Sequence, residues 1–192
     1  MGECGAGPDC DRRVMTDGGA TARATAATGG APPKPPALAT VSWTHGQAFE
    51  ATAAGGRSFA LDGNSVAGQS PPEALLSALA ACTGVDIIEI LKKRRTPAGR
   101  LEMRVTGDRA NAMPPRFVAI AIEYHLDGAR IERVHAERAI DLAVNSYCTV
   151  KDSLAKDIRF TWRLVLNGDA GADHDASAVA AVAAVAPATH IR

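Results

Sequence analysis

SPPEALLSALAACTGVDIIEILKKRR, residues Ser70 to Arg95, is the stretch on which the fold turns. From Ala74 to Val85 it carries no charge, so the pattern predicts a helix buried on nearly every side rather than one with a single wet face. Pro71 and Pro72 suit its first turn, where a missing N–H costs nothing. Lys92, Lys93, Arg94 and Arg95 follow at its end, where cations match the carbonyl pole of the helix dipole. A lone thiol, Cys82, stands near the middle of this apolar run.

The segments around the helix alternate with period two, which marks strands. Before it, Val41 with Trp43, Phe49 with Ala51, and Phe59 with Leu61 each share a face; Arg57 falls in step with the last pair, a charge on the apolar side. After it come LEMRVT and FVAIAIEYHL, then a helical segment from about Ile131 to Asn145, then SYCTVKDSL, which reads as a short helix, and a last strand IRFTWRLVL. The predicted order is βββ-α-ββ-α-α-β. Strands clustered in this way argue for an α+β fold of antiparallel sheets around the long central helix.

The 192-residue chain fits one domain with tails. Residues 1–38 are rich in Gly, Ala, Thr and Pro and offer little to bury, so they are expected to form a disordered tail; residues 168–192 read as a flexible Ala-rich C-terminal tail. The folded domain is placed at 39–167. A formal net charge of zero argues against a nucleic-acid partner. The charge-free core of the helix is about a dozen residues, which falls short of a bilayer span of roughly 18–20 and predicts no membrane association. Without a continuous apolar leader, the expected location is the cytoplasm, a reducing compartment where the four cysteines are not structural staples.

Cys82 shares a helical stripe with Leu79 and Asp86. Burial, and a carboxylate one turn away, would both raise its pKa, as for an inert core cysteine. Cys148 opens the short helix TVKDSLAK, where free backbone N–H groups favour a thiolate and Lys151 would add to the effect. Spacing alone leaves open whether the two thiols meet. Cys4 and Cys10 lack the spacing and the partner pair of a zinc site, and the histidines show no ligand pattern, so no metal or organic cofactor is expected.

The run SPPEALLSALAACTGVD, followed much later by NSYCTV, resembles the OsmC/Ohr family of osmotically inducible and organic-hydroperoxide-resistance proteins. The resemblance covers roughly 41–166 and is nearest to the OsmC-like branch, on PPEAL before the first cysteine and Y-C-x-V around the second. It implies an intertwined homodimer in which sheet from both subunits wraps the long helices. It also implies a peroxidatic Cys82 and a resolving Cys148, an organic hydroperoxide substrate and an external dithiol reductant. The peroxide-reducing members set an arginine, held by a glutamate, beside the first cysteine; Arg57 and Glu73 are the matching candidates. The slot of that acid is Pro72 here, and Glu73 stands one place later, a turn of about 100° around a helix. The alternative is a non-enzymatic dimer that binds an apolar small molecule or senses oxidation through its thiols.

Overall fold

The computed structural model describes residues 34–177. A meander of β1 (Ala39–His45), β2 (Ala48–Ala53) and β3 (Ser58–Asp62) leads to α1 (Pro71–Lys93). Strands β4 (Arg100–Arg109) and β5 (Phe117–Asp127) follow, then α2 (Arg133–Leu142), which runs into a π-helical turn at Ala143–Tyr147. The short α3 (Thr149–Asp152) and the hairpin of β6 (Arg159–Leu166) and β7 (Asp169–Asp175) close the described chain. The architecture is α+β, as the residue pattern predicts.

Two features differ from the sequence expectation. The second sheet, ordered β4-β5-β6-β7, is mixed rather than antiparallel, because β5 and β6 run parallel. The chain from β5 to β6 passes through α2, the π-helical turn and α3, a crossover long enough to bring the next strand in the same direction. The folded part also extends past 167, since β7 lies where a flexible tail was expected. Asn167 and Gly168 both have positive φ, at 51° and 86°, the two-residue turn that an Asn-Gly pair favours between antiparallel strands. β7 lacks large apolar residues, which hid it, but His174 stacks on Trp162 with ring centroids 3.9 Å apart.

Period-two burial builds the core. On β5 the side chains of Ile120, Ile122, Tyr124 and Leu126 are buried, and on β6 those of Phe160, Trp162, Leu164 and Leu166. These meet Leu79, Ile87 and Leu91 of α1 and Ala136, Ala139 and Ile140 of α2 in one apolar cluster. Each large aliphatic residue among them stabilises the fold by about 1.5–3 kcal/mol through burial. Gly84 lets α1 approach β4 closely, because a Cβ there would lie 3.0 Å from Sδ of Met103. Inside the core the Tyr124 hydroxyl donates to Thr83 Oγ1 at 2.9 Å, and Thr83 donates in turn to the Ala80 carbonyl at 2.9 Å. A buried hydroxyl that finds partners in this way fixes the register of α1 on β5.

α1 is less buried than the sequence suggested. Leu79, Ala80, Thr83, Gly84, Ile87 and Leu91 face the core, whereas Leu75, Val85 and Ile88 are exposed. By length and composition the helix could cross a bilayer, contrary to the expected shortfall, because it runs 23 residues with few charges. Its buried face is nonetheless occupied by the protein's own sheet. The meander shows the same excess of apolar surface. Register places Val41 opposite Ala51 and Trp43 opposite Phe49, with Ala51 and Phe49 in turn opposite Phe59 and Leu61. Val41, Trp43, Phe49 and Phe59 on this face are all exposed.

The end of α1 is closed by two bonds, Thr96 N–H to the Leu91 carbonyl and Arg95 N–H to the Lys92 carbonyl, with Arg95 at φ 62°. This is the pattern that glycine usually completes, since a side chain is strained at positive φ. Arg95→Gly is therefore expected to raise stability by about 0.5–1 kcal/mol in urea unfolding.

Candidate functional site

The two thiols that lie far apart in sequence meet where the middle of α1 passes the head of α3. The π-helical turn places Cys148 there: its N–H reaches back five residues to the Ala143 carbonyl at 2.9 Å, and its own backbone is extended, at φ −70° and ψ 100°. Cys148 is the N-cap of α3, and its sulfur accepts the Lys151 N–H at 3.3 Å. Cys82 comes from the α1 side, half-buried, with Sγ 3.9 Å from Thr149 Oγ1. The thiols are close enough for each to act on the other's ionisation. Both are free.

Their environments push the two thiols apart, in the opposite sense to the sequence expectation. Burial works against a charged Cys82, but the Val150 N–H, the Cys148 thiol, and the Thr149 hydroxyl and N–H together hold its pKa below the ordinary thiol value. At Cys148 burial dominates; the Lys151 N–H opposes it, but proximity to Cys82 adds to it, and the thiol is pushed up to about 11. The start of α3 does favour a thiolate, as backbone N–H groups at such a position should. It favours the one on α1.

Around Cys148 lies a cavity of about 620 Å³ whose wall includes Asn145, Tyr147, Lys151, Ile158 and Phe160. The Lys151 ammonium donates to Asn145 Oδ1 at 3.0 Å and sits 5.2 Å from the Phe160 ring centroid. Burial lowers its pKa, and its interaction with Cys148 opposes that shift. Asn145 is held in turn by Asp141, at 2.8 Å. Tyr124, fully buried, has its pKa raised by burial and stays a neutral phenol.

The structure does not bring the other two candidates to the thiols within one chain. Arg57 lies just before β3 rather than in it, exposed, with its carbonyl accepting the Ala53 N–H at 2.9 Å. Glu73 is engaged at the head of α1, where its carboxylate accepts the Ser70 N–H and hydroxyl, each at 2.7 Å, and the Ser65 hydroxyl at 3.0 Å. These bonds, the Ser70 hydroxyl first, hold its pKa below the usual carboxylate value. Cys4 and Cys10 lie outside the described residues, as do residues 1–33 of the tail expected at 1–38 and residues 178–192 of the tail expected at 168–192. Among the described residues no group of His, Cys, Asp and Glu side chains is arranged to hold a metal ion. Sequence reasoning missed Thr149 and Val150, because half of the hydrogen-bonding groups that act on Cys82 are backbone N–H; the helix-start pattern after Cys148 was the available signal.

A central helix carrying one thiol, laid on a mixed sheet and met by a second thiol at the start of a short helix, defines a two-cysteine α+β protein. The family model for OsmC-like protein matches residues 62–163. Protein YhfA of Escherichia coli K12 is 32% identical over 124 residues, which cover 64% of this chain and 92% of that protein. Among solved structures, the OsmC-like protein of Mycoplasma pneumoniae superposes with a TM-score of 0.62 at 19% identity, over 70% of this chain and 99% of its own. A hypothetical protein of Aquifex aeolicus VF5 gives 0.59 at 23% identity, over 69% and 98%. The chain belongs to the OsmC-like family.

If the start of α3 sets the ionisation order, alkylation mapped on the two cysteine peptides will separate them. Cys82 is expected to react with an inflection shifted below that of an ordinary thiol, and Cys148 only toward pH 11. Cys148→Ala, which removes one of the groups that favour the Cys82 thiolate, should move the Cys82 inflection upward.

Proposed function

We propose that this protein is a thiol-dependent peroxidase that reduces organic hydroperoxides. The observation that carries the reading is the meeting of Cys82 and Cys148, with the first thiol inclined to ionise and the second held neutral. The better thiolate is the better attacking group at neutral pH, so Cys82 takes the peroxidatic role. Its sulfur attacks the terminal oxygen of the hydroperoxide and the O–O bond breaks. The alcohol leaves with a proton, and Cys82 becomes a sulfenic acid. The Cys148 sulfur then attacks Cys82; water leaves, a disulfide forms, and an external dithiol returns both thiols.

The substrate side of the site is the exposed apolar stripe of α1, on which Val85 lies one turn beyond Cys82 and Leu75 two turns before it. A second copy is the proposed cover, and it would also cover Val41, Trp43, Phe49 and Phe59 of the meander. Large apolar side chains left exposed on two elements are characteristic of an interface. An organic hydroperoxide gains from such a wall by burying its alkyl part, at about 25 cal/mol per Å². Arg57 enters this reading as a cation delivered to Cys82 across the subunit boundary, with Glu73 at the head of α1 orienting it. A reducing compartment such as the cytoplasm suits the free thiols.

The position of Arg57 and Glu73 favours a second reading, because within one chain Arg57 does not meet Cys82 and the Glu73 carboxylate is engaged in capping. On that reading the dimer binds an apolar small molecule, or senses oxidation, without turnover. Cumene hydroperoxide consumption with dithiothreitol separates the two. Catalytic turnover that falls to the uncatalysed rate in Cys82→Ser is expected of the peroxidase, and turnover unchanged in that variant would rule it out. Sedimentation tests the cover: the native chain should run as a dimer, and Trp43→Glu or Val85→Asp should shift it toward monomer.

A further inference from the structure

The two sulfurs open onto different spaces. Cys82 lies on the α1 stripe with exposed Leu75 and Val85, whereas the cavity of about 620 Å³ is walled by Cys148 and not by Cys82. This second space is unlike the first. Its wall mixes Ile158 and Phe160 with Asn145, Lys151 and Ser177, and its volume is that of a site for a small organic molecule. Lys151 has no carboxylate within ion-pair distance among the described residues, and its ammonium is held by the neutral Asn145 side chain and the Phe160 ring. A cation poised beside Cys148 suits a thiolate arriving at, or leaving from, that sulfur.

We propose that the external dithiol enters through this cavity and attacks the sulfur of Cys148, so that oxidant and reductant approach the thiol pair from opposite sides. The inference rests on the peroxidase reading. One thiolate of the reductant forms a bond to Cys148 Sγ, the Cys82–Cys148 bond breaks, and Cys82 leaves with the electron pair as a thiolate. The second thiol of the reductant then attacks its own sulfur in the mixed disulfide and gives up its proton. Cys148 departs as the thiolate beside Lys151 and takes that proton, and the reductant leaves as a cyclic disulfide. Two electrons pass from dithiol to protein. The direction is also the one that exchange chemistry favours, since the thiol with the lower pKa leaves faster and Cys82 is that thiol. The dimer cover proposed for α1 would close the other approach, leaving that side to the hydroperoxide. A small dithiol fits the cavity, whereas a bulky protein surface would not reach Cys148, which is only 4% exposed.

The test uses the full chain with Cys4 and Cys10 replaced by serine. Diamide oxidises the protein, 2-mercaptoethanol is added at one equivalent as a monothiol that cannot complete the second exchange by cyclising, and excess N-ethylmaleimide at neutral pH quenches the mixture within seconds. Peptide mass mapping then reads which cysteine carries the adduct. The expected result is mercaptoethanol on Cys148 and N-ethylmaleimide on Cys82, in about tenfold or greater excess over the reverse. An adduct chiefly on Cys82 overturns this inference and leaves the peroxidase reading standing. Failure of diamide to link Cys82 to Cys148 overturns both.

Discussion

The structure depends on a helix that is apolar around more of its circumference than one chain covers. Leu79, Thr83, Ile87 and Leu91 anchor α1 to the four-stranded sheet, and the Tyr124–Thr83–Ala80 chain of hydrogen bonds fixes its position along β5. That anchoring sets where Cys82 falls relative to the start of α3. The opposite stripe, with Leu75, Val85 and Ile88, is left facing outward. One thiol thus stands at the boundary between a packed core and an open apolar face. Its surroundings differ on the two sides, with hydrogen-bond donors of Thr149 and Val150 on the inner side and exposed apolar residues on the outer.

Much of the fold was legible because it rests on local patterns. The period-two runs gave the face assignments of β1 to β3, and register confirms them, with Trp43 opposite Phe49 and Phe49 opposite Leu61. The charge-free run from Ala74 to Val85 gave the central helix. What escaped was set by nonlocal pairing. β7, with its Gly, Ala and Asp, has no apolar alternation to announce it; it is held by ladder bonds to β6 and by the His174–Trp162 stack, and only Asn167-Gly168 marked the turn into it. The parallel β5–β6 pair depends on the path of a long crossover, which no residue pattern records.

The site was half legible, and the missing half is electrostatic. Residue pattern and family resemblance singled out both thiols, and the structure brings them together. The ionisation order came out reversed, because the sequence shows which residue opens a short helix but not which sulfur its N–H groups meet. Cys148 itself accepts the Lys151 N–H, yet it is so deeply buried that desolvation prevails; Cys82, less buried and reached from the side, gains from Val150 and Thr149. Glu73 shows the same difficulty. An acid near the start of a helix reads equally well as a site residue or a cap, and only its bonds to Ser70 and Ser65 reveal how it is used within the chain.

The widened turn at Ala143–Tyr147 has a consequence for how this protein tolerates change. By spanning five residues between the Ala143 carbonyl and the Cys148 N–H, it absorbs one residue more than an ordinary helical turn and so sets the azimuth at which the chain emerges toward α1. The encounter of the sulfurs is therefore governed by residue count. Exchanging one side chain for another of similar bulk keeps the phase, but deleting a single residue from the turn would swing the downstream chain by about 100° and aim the second sulfur elsewhere.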